Sequence, residues 1–215
     1  MLISPPKISA NLFVLLISIY LVGVFNFPFY SKAFKAIVSL ENFNVLFLLS
    51  VPVLLLSLFV LIISVFSWRF LLKPLAIALI MLSVFIFYGS QNYGIIFDYG
   101  MIQNTVETDY SEAISYLNPQ SILTVLLLGV LPSFLISITP IKWNIAHKEL
   151  WQRSQLIVVS LITIFTIAGY FYSNYAAVGR NNKVLVKYII PFKFINASYK
   201  YARNNYFQLL CLSKH

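Results

Sequence analysis

Residues 42–68 read NFNVLFLLSVPVLLLSLFVLIISVFSW, twenty-seven positions without one charged side chain. A helix that crosses the roughly 30 Å hydrocarbon core of a bilayer needs about 20 apolar residues. This stretch is long enough. Pro52 within it predicts a kink rather than a break, because neighbouring helices can satisfy the carbonyl it frees. Four more charge-free stretches lie around it, at 8–31, 74–97, 113–141 and 154–179, of 24, 24, 29 and 26 residues. No other charge-free run exceeds ten residues. The composition agrees: 60% of residues are hydrophobic and 10% charged, where a soluble domain carries about 25% charged residues. Mean hydropathy is +0.85. A secreted or cytosolic enzyme is excluded. The fold class is all-α, a polytopic membrane protein with five transmembrane helices.

The spans are expected at about 11–27, 44–68, 71–88, 122–139 and 156–175, so that residues 1–175 form a five-helix transmembrane domain. The first stops at the aromatic turn Phe27-Pro28-Phe29-Tyr30, and the second and third form a tight hairpin through Trp68–Pro74. Lys7 ahead of an apolar run resembles a signal peptide, but no small-residue cleavage site follows, so an uncleaved first helix is expected. Loop charges set the orientation. With the N-terminus in the cytoplasm, that side holds Lys7, Arg69, Lys73, Lys142, Lys148 and Arg153. The two opposite loops hold only Lys32 and Lys35, together with Glu41, Asp98, Glu107, Asp109 and Glu112. Five spans then bring the C-terminus to the periplasmic side. Residues 176–215 carry seven basic residues and no acid, interleaved with Tyr and Phe, and read as a basic aromatic linker in the headgroup layer. An outer-face position excludes nucleic acid as its partner.

Several kinds of chemistry are missing. Apart from Lys73, at the very start of the third, no Asp, Glu, Lys, Arg or His falls inside an expected span. Ion-coupled transporters place such groups at membrane depth to bind what they move, so this class is disfavoured. His147, His215 and the single Cys211 do not assemble into the three or four nearby ligands a zinc site needs. No cofactor or metal is expected in this chain, and no catalytic residue is found in it. The sequon Asn196-Ala197-Ser198 is too common a pattern to carry weight.

One segment is rich in polar groups: Phe97-Asp98-Tyr99-Gly100-Met101-Ile102-Gln103-Asn104, continuing Thr105-Val106-Glu107-Thr108-Asp109-Tyr110-Ser111-Glu112-Ala113. It holds four of the six acids and links helices three and four as a periplasmic amphipathic helix. Residues four apart share a helix face, so Asn104, Thr108 and Glu112 form one polar stripe. Gln103, Glu107 and Ser111 form a second beside it. A carboxylate with amide and hydroxyl neighbours suits a small cation with several donors, such as an ammonium group. The same acids would favour a divalent cation, with less sign of ligand geometry. The plain alternative is an interfacial helix whose acids face water.

The segment Asp98–Asn104, with Glu107-Thr108-Asp109 and Ser111-Glu112-Ala113, resembles the signature of the bacterial phosphoethanolamine transferases, which modify lipid A and confer polymyxin resistance. Arg69–Pro74 is similar to that family's basic hairpin, and Leu127–Ser133 to its fourth helix. Ser173–Ala176 with Arg180–Lys183 is similar to the exit from its fifth helix, and the likeness extends to about residue 207. The resemblance implies an inner-membrane protein whose N-terminal helices precede a periplasmic catalytic domain. In the family that domain holds zinc and a threonine nucleophile, and moves phosphoethanolamine from phosphatidylethanolamine to lipid A. It also implies that Asn104, Thr108 and Glu112 contribute to the phosphoethanolamine headgroup pocket, with Glu112 meeting the ammonium. The chain reaches His215 where that catalytic domain would begin, so on this reading it is the membrane half, truncated and by itself inactive in transfer. Composition alone leaves open a small non-enzymatic membrane protein that binds lipid or a partner.

Overall fold

The structure, a computed structural model, describes residues 7–39, 44–107 and 118–212, with side chains described to residue 104 in the second stretch and to residue 204 in the third. In hydrocarbon, backbone N–H and C=O groups must be paired within their own segment, and runs of Leu, Ile, Val and Phe offer no other partner, so they coil. A short β1 (Ile8–Ser9) leads into α1 (Ala10–Tyr20), which the Ser9 side chain starts by accepting the Leu12 N–H. A π-helical turn, Leu21–Phe25, follows, and at Asn26 the chain bends by 65° into α2 (Phe27–Val38). Next come α3 (Val45–Val65), α4 (Leu72–Tyr93) and α5 (Tyr99–Glu107). Helix α6 (Pro119–Ile138) has its own π-helical turn at Val125–Val130 and is followed by β2 (Ile141–Lys142). The chain closes with α7 (Ala146–Tyr170), α8 (Tyr172–Asn181), a 3-10 turn at Leu185–Tyr188 and α9 (Phe192–Leu212).

Helices α3, α4, α6 and α7 are each long and apolar enough to cross a membrane, and the bent pair α1–α2 gives the fifth span. Ala10–Phe25 covers about 24 Å at 1.5 Å per residue, most of the roughly 30 Å core, and the first residues of α2 carry the chain to the membrane surface. The fold is therefore the expected all-α membrane bundle. The aromatic stretch 27–30 differs in detail. It begins a helix, because Pro28 sits in the first turn, where its missing N–H costs nothing and its fixed φ suits the helix.

Helix α1 is the centre of the bundle. Phe13, Val14, Ile17, Leu21, Val22 and Phe25 are all buried. One side of α1 packs on α3, and its π-helical turn packs on α4. Outside these, α7 lies against α3 and α6 against α4. The hairpin partners α3 and α4 are thus joined by a short turn but scarcely approach each other, since α1 stands between them. The outer pair faces lipid: 6% of the spanning part of α7 and 22% of α6 is buried inside the protein, against 50% for α4.

The two ends of the bundle differ. At the end holding β1, the N-terminus is tied down by parallel pairing of Ile8 and Ser9 with Ile141 and Lys142. The Asn11 side chain donates to the Gln152 carbonyl at 2.8 Å. Lys73 Nζ donates to the Ser137 carbonyl at 2.8 Å, capping the C-terminal end of α6 with a cation, as the helix dipole favours. The other end carries α2, α5, α8, the 3-10 turn and α9, and it is where the candidate site lies.

Candidate functional site

Asn26 organises this second end. It sits where the π-helical turn of α1 stops, and it is fully buried. Its Nδ2 donates to the carbonyls of Leu21 and Ile190, both at 3.0 Å, and its Oδ1 accepts the Ile190 N–H at 3.0 Å. A buried amide left unpaired would cost about 1–3 kcal/mol, and here its bonds go to the backbone of the segment after α8. Phe192 of the same segment packs edge-on against Phe59 of α3, ring centroids 4.6 Å apart. The basic aromatic region beyond residue 175 is thus anchored on the bundle by a polar lock and an aromatic contact.

Asp98 is a second tie. Its Oδ1 accepts the Met101 N–H at 3.2 Å, starting α5, and its Oδ2 accepts from Lys187 Nζ at 2.9 Å. The Lys187 ammonium, and after it the Met101 N–H, holds the Asp98 carboxyl below the usual carboxylate range. Helix α5 then lies along α9, with Tyr99 against Tyr201 at 5.8 Å between ring centroids. Beneath it Phe97 meets Phe194 at 5.9 Å and covers Gly89 so closely that a Cβ there would lie 2.8 Å from the ring.

Of the three residues expected at the headgroup site, Asn104 lies on α5, on an exposed face of the helix whose Ile102 is buried. Thr108 and Glu112 fall outside the described residues. The far side of this region is closed by Asn118, which caps α6: its Oδ1 accepts from the Ser121 N–H at 2.8 Å and from the Tyr88 hydroxyl at 2.9 Å. Its Nδ2 donates to the Tyr93 hydroxyl at 3.2 Å. Among the described residues, no three His, Cys, Asp or Glu are grouped to hold a metal ion.

Reading the sequence did not find Asn26, the Asp98–Lys187 pair or the Asn118 cap. A signal existed for the cap alone: Asn118-Pro119-Gln120-Ser121 has a capping side chain, then Pro at the first helical position.

The profile described as phosphoethanolamine transferase EptA/EptB matches residues 55–206, from within α3 into α9. The chain belongs to that family. It is 32% identical over 187 residues to phosphatidylethanolamine transferase Mcr-2 of Escherichia coli, covering 86% of this chain and 34% of that protein. Against phosphoethanolamine transferase EptA of Escherichia coli K12 the identity is 31% over 201 residues, covering 93% and 37%. Its fold matches that of the integral membrane protein lipooligosaccharide phosphoethanolamine transferase A (EptA) from Neisseria meningitidis, with a TM-score of 0.86 at 27% identity. That match covers 93% of this chain and 37% of the solved one. The chain therefore spans about a third of the length of these EptA-type relatives. Within the family it corresponds to the N-terminal membrane domain, and the protein is a multi-pass membrane protein.

Proposed function

We propose that this chain is the membrane and donor-lipid-binding part of a phosphoethanolamine transferase that modifies lipid A, with phosphatidylethanolamine as donor. The observation that carries the reading is the family match over residues 55–206, which takes in the whole Asp98–Glu112 segment. In this reading the five spans lie in the bacterial inner membrane with the N-terminus in the cytoplasm. The end bearing Asn26, α5 and α9 faces the periplasm, and the six-to-two loop-charge bias supports that orientation. Residues 1–175 form the transmembrane unit and 176–215 the interfacial linker. The nucleophile and its zinc belong to a periplasmic catalytic domain outside this chain.

Within the membrane part, Glu112 meets the ethanolamine ammonium as an anionic hydrogen-bond acceptor, while the Asn104 amide and the Thr108 hydroxyl orient the headgroup. Together they hold the donor phosphate at the membrane surface, where the catalytic domain collects it. Transfer of the cationic group to a lipid A phosphate lowers the surface's negative charge and so its attraction for polymyxin, a polycation.

In the chain joined to the catalytic domain of a relative such as Mcr-2, Glu112→Ala is expected to lower transfer to lipid A roughly ten- to a hundredfold. That is the worth of a hydrogen bond to a charged group, about 1.5–3 kcal/mol. Retained lipid is counted by native mass spectrometry of the chain alone in nanodiscs. Phosphatidylethanolamine should be preferred over phosphatidylglycerol, and the preference should vanish with Glu112→Ala. Unchanged transfer in the joined protein would remove Glu112 from the headgroup role.

A further inference from the structure

Lys32, Lys35 and Lys183 line one cleft of about 450 Å³ between α2 and the chain from Asn181 to Tyr188. Ser39, Asn181 and Asn182 add a hydroxyl and two amides to the same wall. Among the described residues no carboxylate lines this cleft (Glu41 falls outside them), and none of the three lysines enters an ion pair. The fourth lysine nearby, Lys187, is taken by Asp98 at 2.9 Å. Scattered surface lysines usually signify only a solvated face. These are different: they converge on a concavity, opposing charge is absent from its described lining, and the wall is fixed. Lys32 lies 4.6 Å from the centroid of the Tyr188 ring, and Tyr188 and the Asn26-bound Ile190 hold this stretch on the bundle.

The ligand that three ammonium groups and the amides of Asn181 and Asn182 suit is an anion with more than one charge. A phosphate monoester carries about −1.5 to −2 at neutral pH and presents three acceptor oxygens, while lysine binds phosphate as a compact point charge. The cleft's surroundings indicate where such a group comes from. Helix α2 also exposes Phe27, Phe34 and Val38, so one face is apolar while its lysines meet the cleft, the pattern of a helix lying in a membrane interface. We propose that the cleft between α2 and Asn181–Tyr188 binds the phosphate monoester of a membrane lipid headgroup. It is a site distinct from the Asn104, Thr108 and Glu112 stripe and does not depend on that reading.

The test uses the whole chain in nanodiscs, with phosphatidic acid as the monoester probe, phosphatidylglycerol as the diester and inorganic phosphate as the lipid-free arm. Each lysine near a membrane surface is worth roughly a fivefold change in binding of anionic lipid. The variant Lys32→Gln, Lys35→Gln, Lys183→Gln should therefore lose phosphatidic acid by about a hundredfold at low salt and stop preferring it over phosphatidylglycerol. The same three positions changed to Arg should keep the preference, which separates charge from folding. Three neutralisations at the other end, Lys142→Gln, Lys148→Gln and Arg153→Gln, alter net charge equally and should leave it intact. The proposal is overturned if the cleft variant still prefers phosphatidic acid, or if the distant variant loses the preference as completely. It is also overturned if inorganic phosphate binds as tightly as the lipid monoester.

Discussion

Asn26 and Asp98 show how single polar residues define one end of an otherwise apolar bundle. Replacing Asn26 by Leu removes both donors and the acceptor, leaving the Ile190 N–H and C=O buried without partners, at about 1–3 kcal/mol for each orphaned group. Asn26→Leu is expected to lower the melting temperature in detergent and to expose the chain after residue 180 to protease while the spans stay intact. A thermal melt checks the first and limited proteolysis read by mass spectrometry the second. Asp98 makes a pH prediction. Its carboxyl binds a proton more weakly folded than unfolded, because Lys187 and the Met101 N–H favour the charged form. Its stabilisation is therefore complete above the unfolded carboxylate value of about 3.9 and is lost as the pH falls through the lower folded value. Both partners are about two-fifths exposed, so the effect is modest. Thermal melts from pH 6 down to about 3 should fall less steeply for Asp98→Asn than for the unaltered chain.

At the scale of elements, α6 packs on α4 through a glycine. A Cβ at Gly129 would lie 3.0 Å from Val84 Cγ1 and 3.3 Å from Met81 Sδ. Gly129 is in the π-helical turn, where the Leu128 carbonyl instead accepts the Tyr20 hydroxyl of α1 at 2.8 Å. Gly129→Leu should push α6 from α4 and cost about 1–3 kcal/mol, the usual penalty of overpacking. The measurable outcome is a lower melting temperature with unchanged helicity by circular dichroism. The helices themselves were legible because hydrocarbon makes apolar length decisive. Their ends were less so. Helix α7 starts at Ala146, ahead of the apolar run, since His147, Lys148, Glu149 and Arg153 extend it beyond the membrane and hydropathy is blind to those turns. Helix α2 was hidden behind Pro28, which reads equally as a stop or as a first turn.

For the whole molecule, the order of the helices could not be read. Each span is apolar on every side, so nothing in Val45–Val65 or Leu72–Tyr93 marks which face meets a neighbour, and α1 comes between them unannounced. The candidate stripe rests on spacing and on the family resemblance, and of its three residues Asn104 alone lies among those described. The lock at Asn26 was not legible, because it joins positions 164 apart. The asymmetry of the ends is testable as a whole. Trp68, Trp143 and Trp151 all lie at the end away from α5 and α9, in the α3–α4 turn, the α6–α7 connection and the start of α7. In sealed vesicles of one orientation, an aqueous quencher should reach all three tryptophans from one side and none from the other. Quenching split between the two sides would rule out this arrangement.

The bonds between Asn26 and Ile190 also impose a schedule on biosynthesis. The first span leaves the ribosome long before its polar partner exists, and 164 residues separate the two. At about 5–20 residues per second, the buried amide waits on the order of ten to thirty seconds for the segment that satisfies it. During that interval the centre of the bundle is assembled around an incomplete polar site, open to water, lipid headgroups or the insertion machinery. Completion of the membrane fold is thus reported by one of its earliest residues, and only after nearly the whole of this sequence has been made.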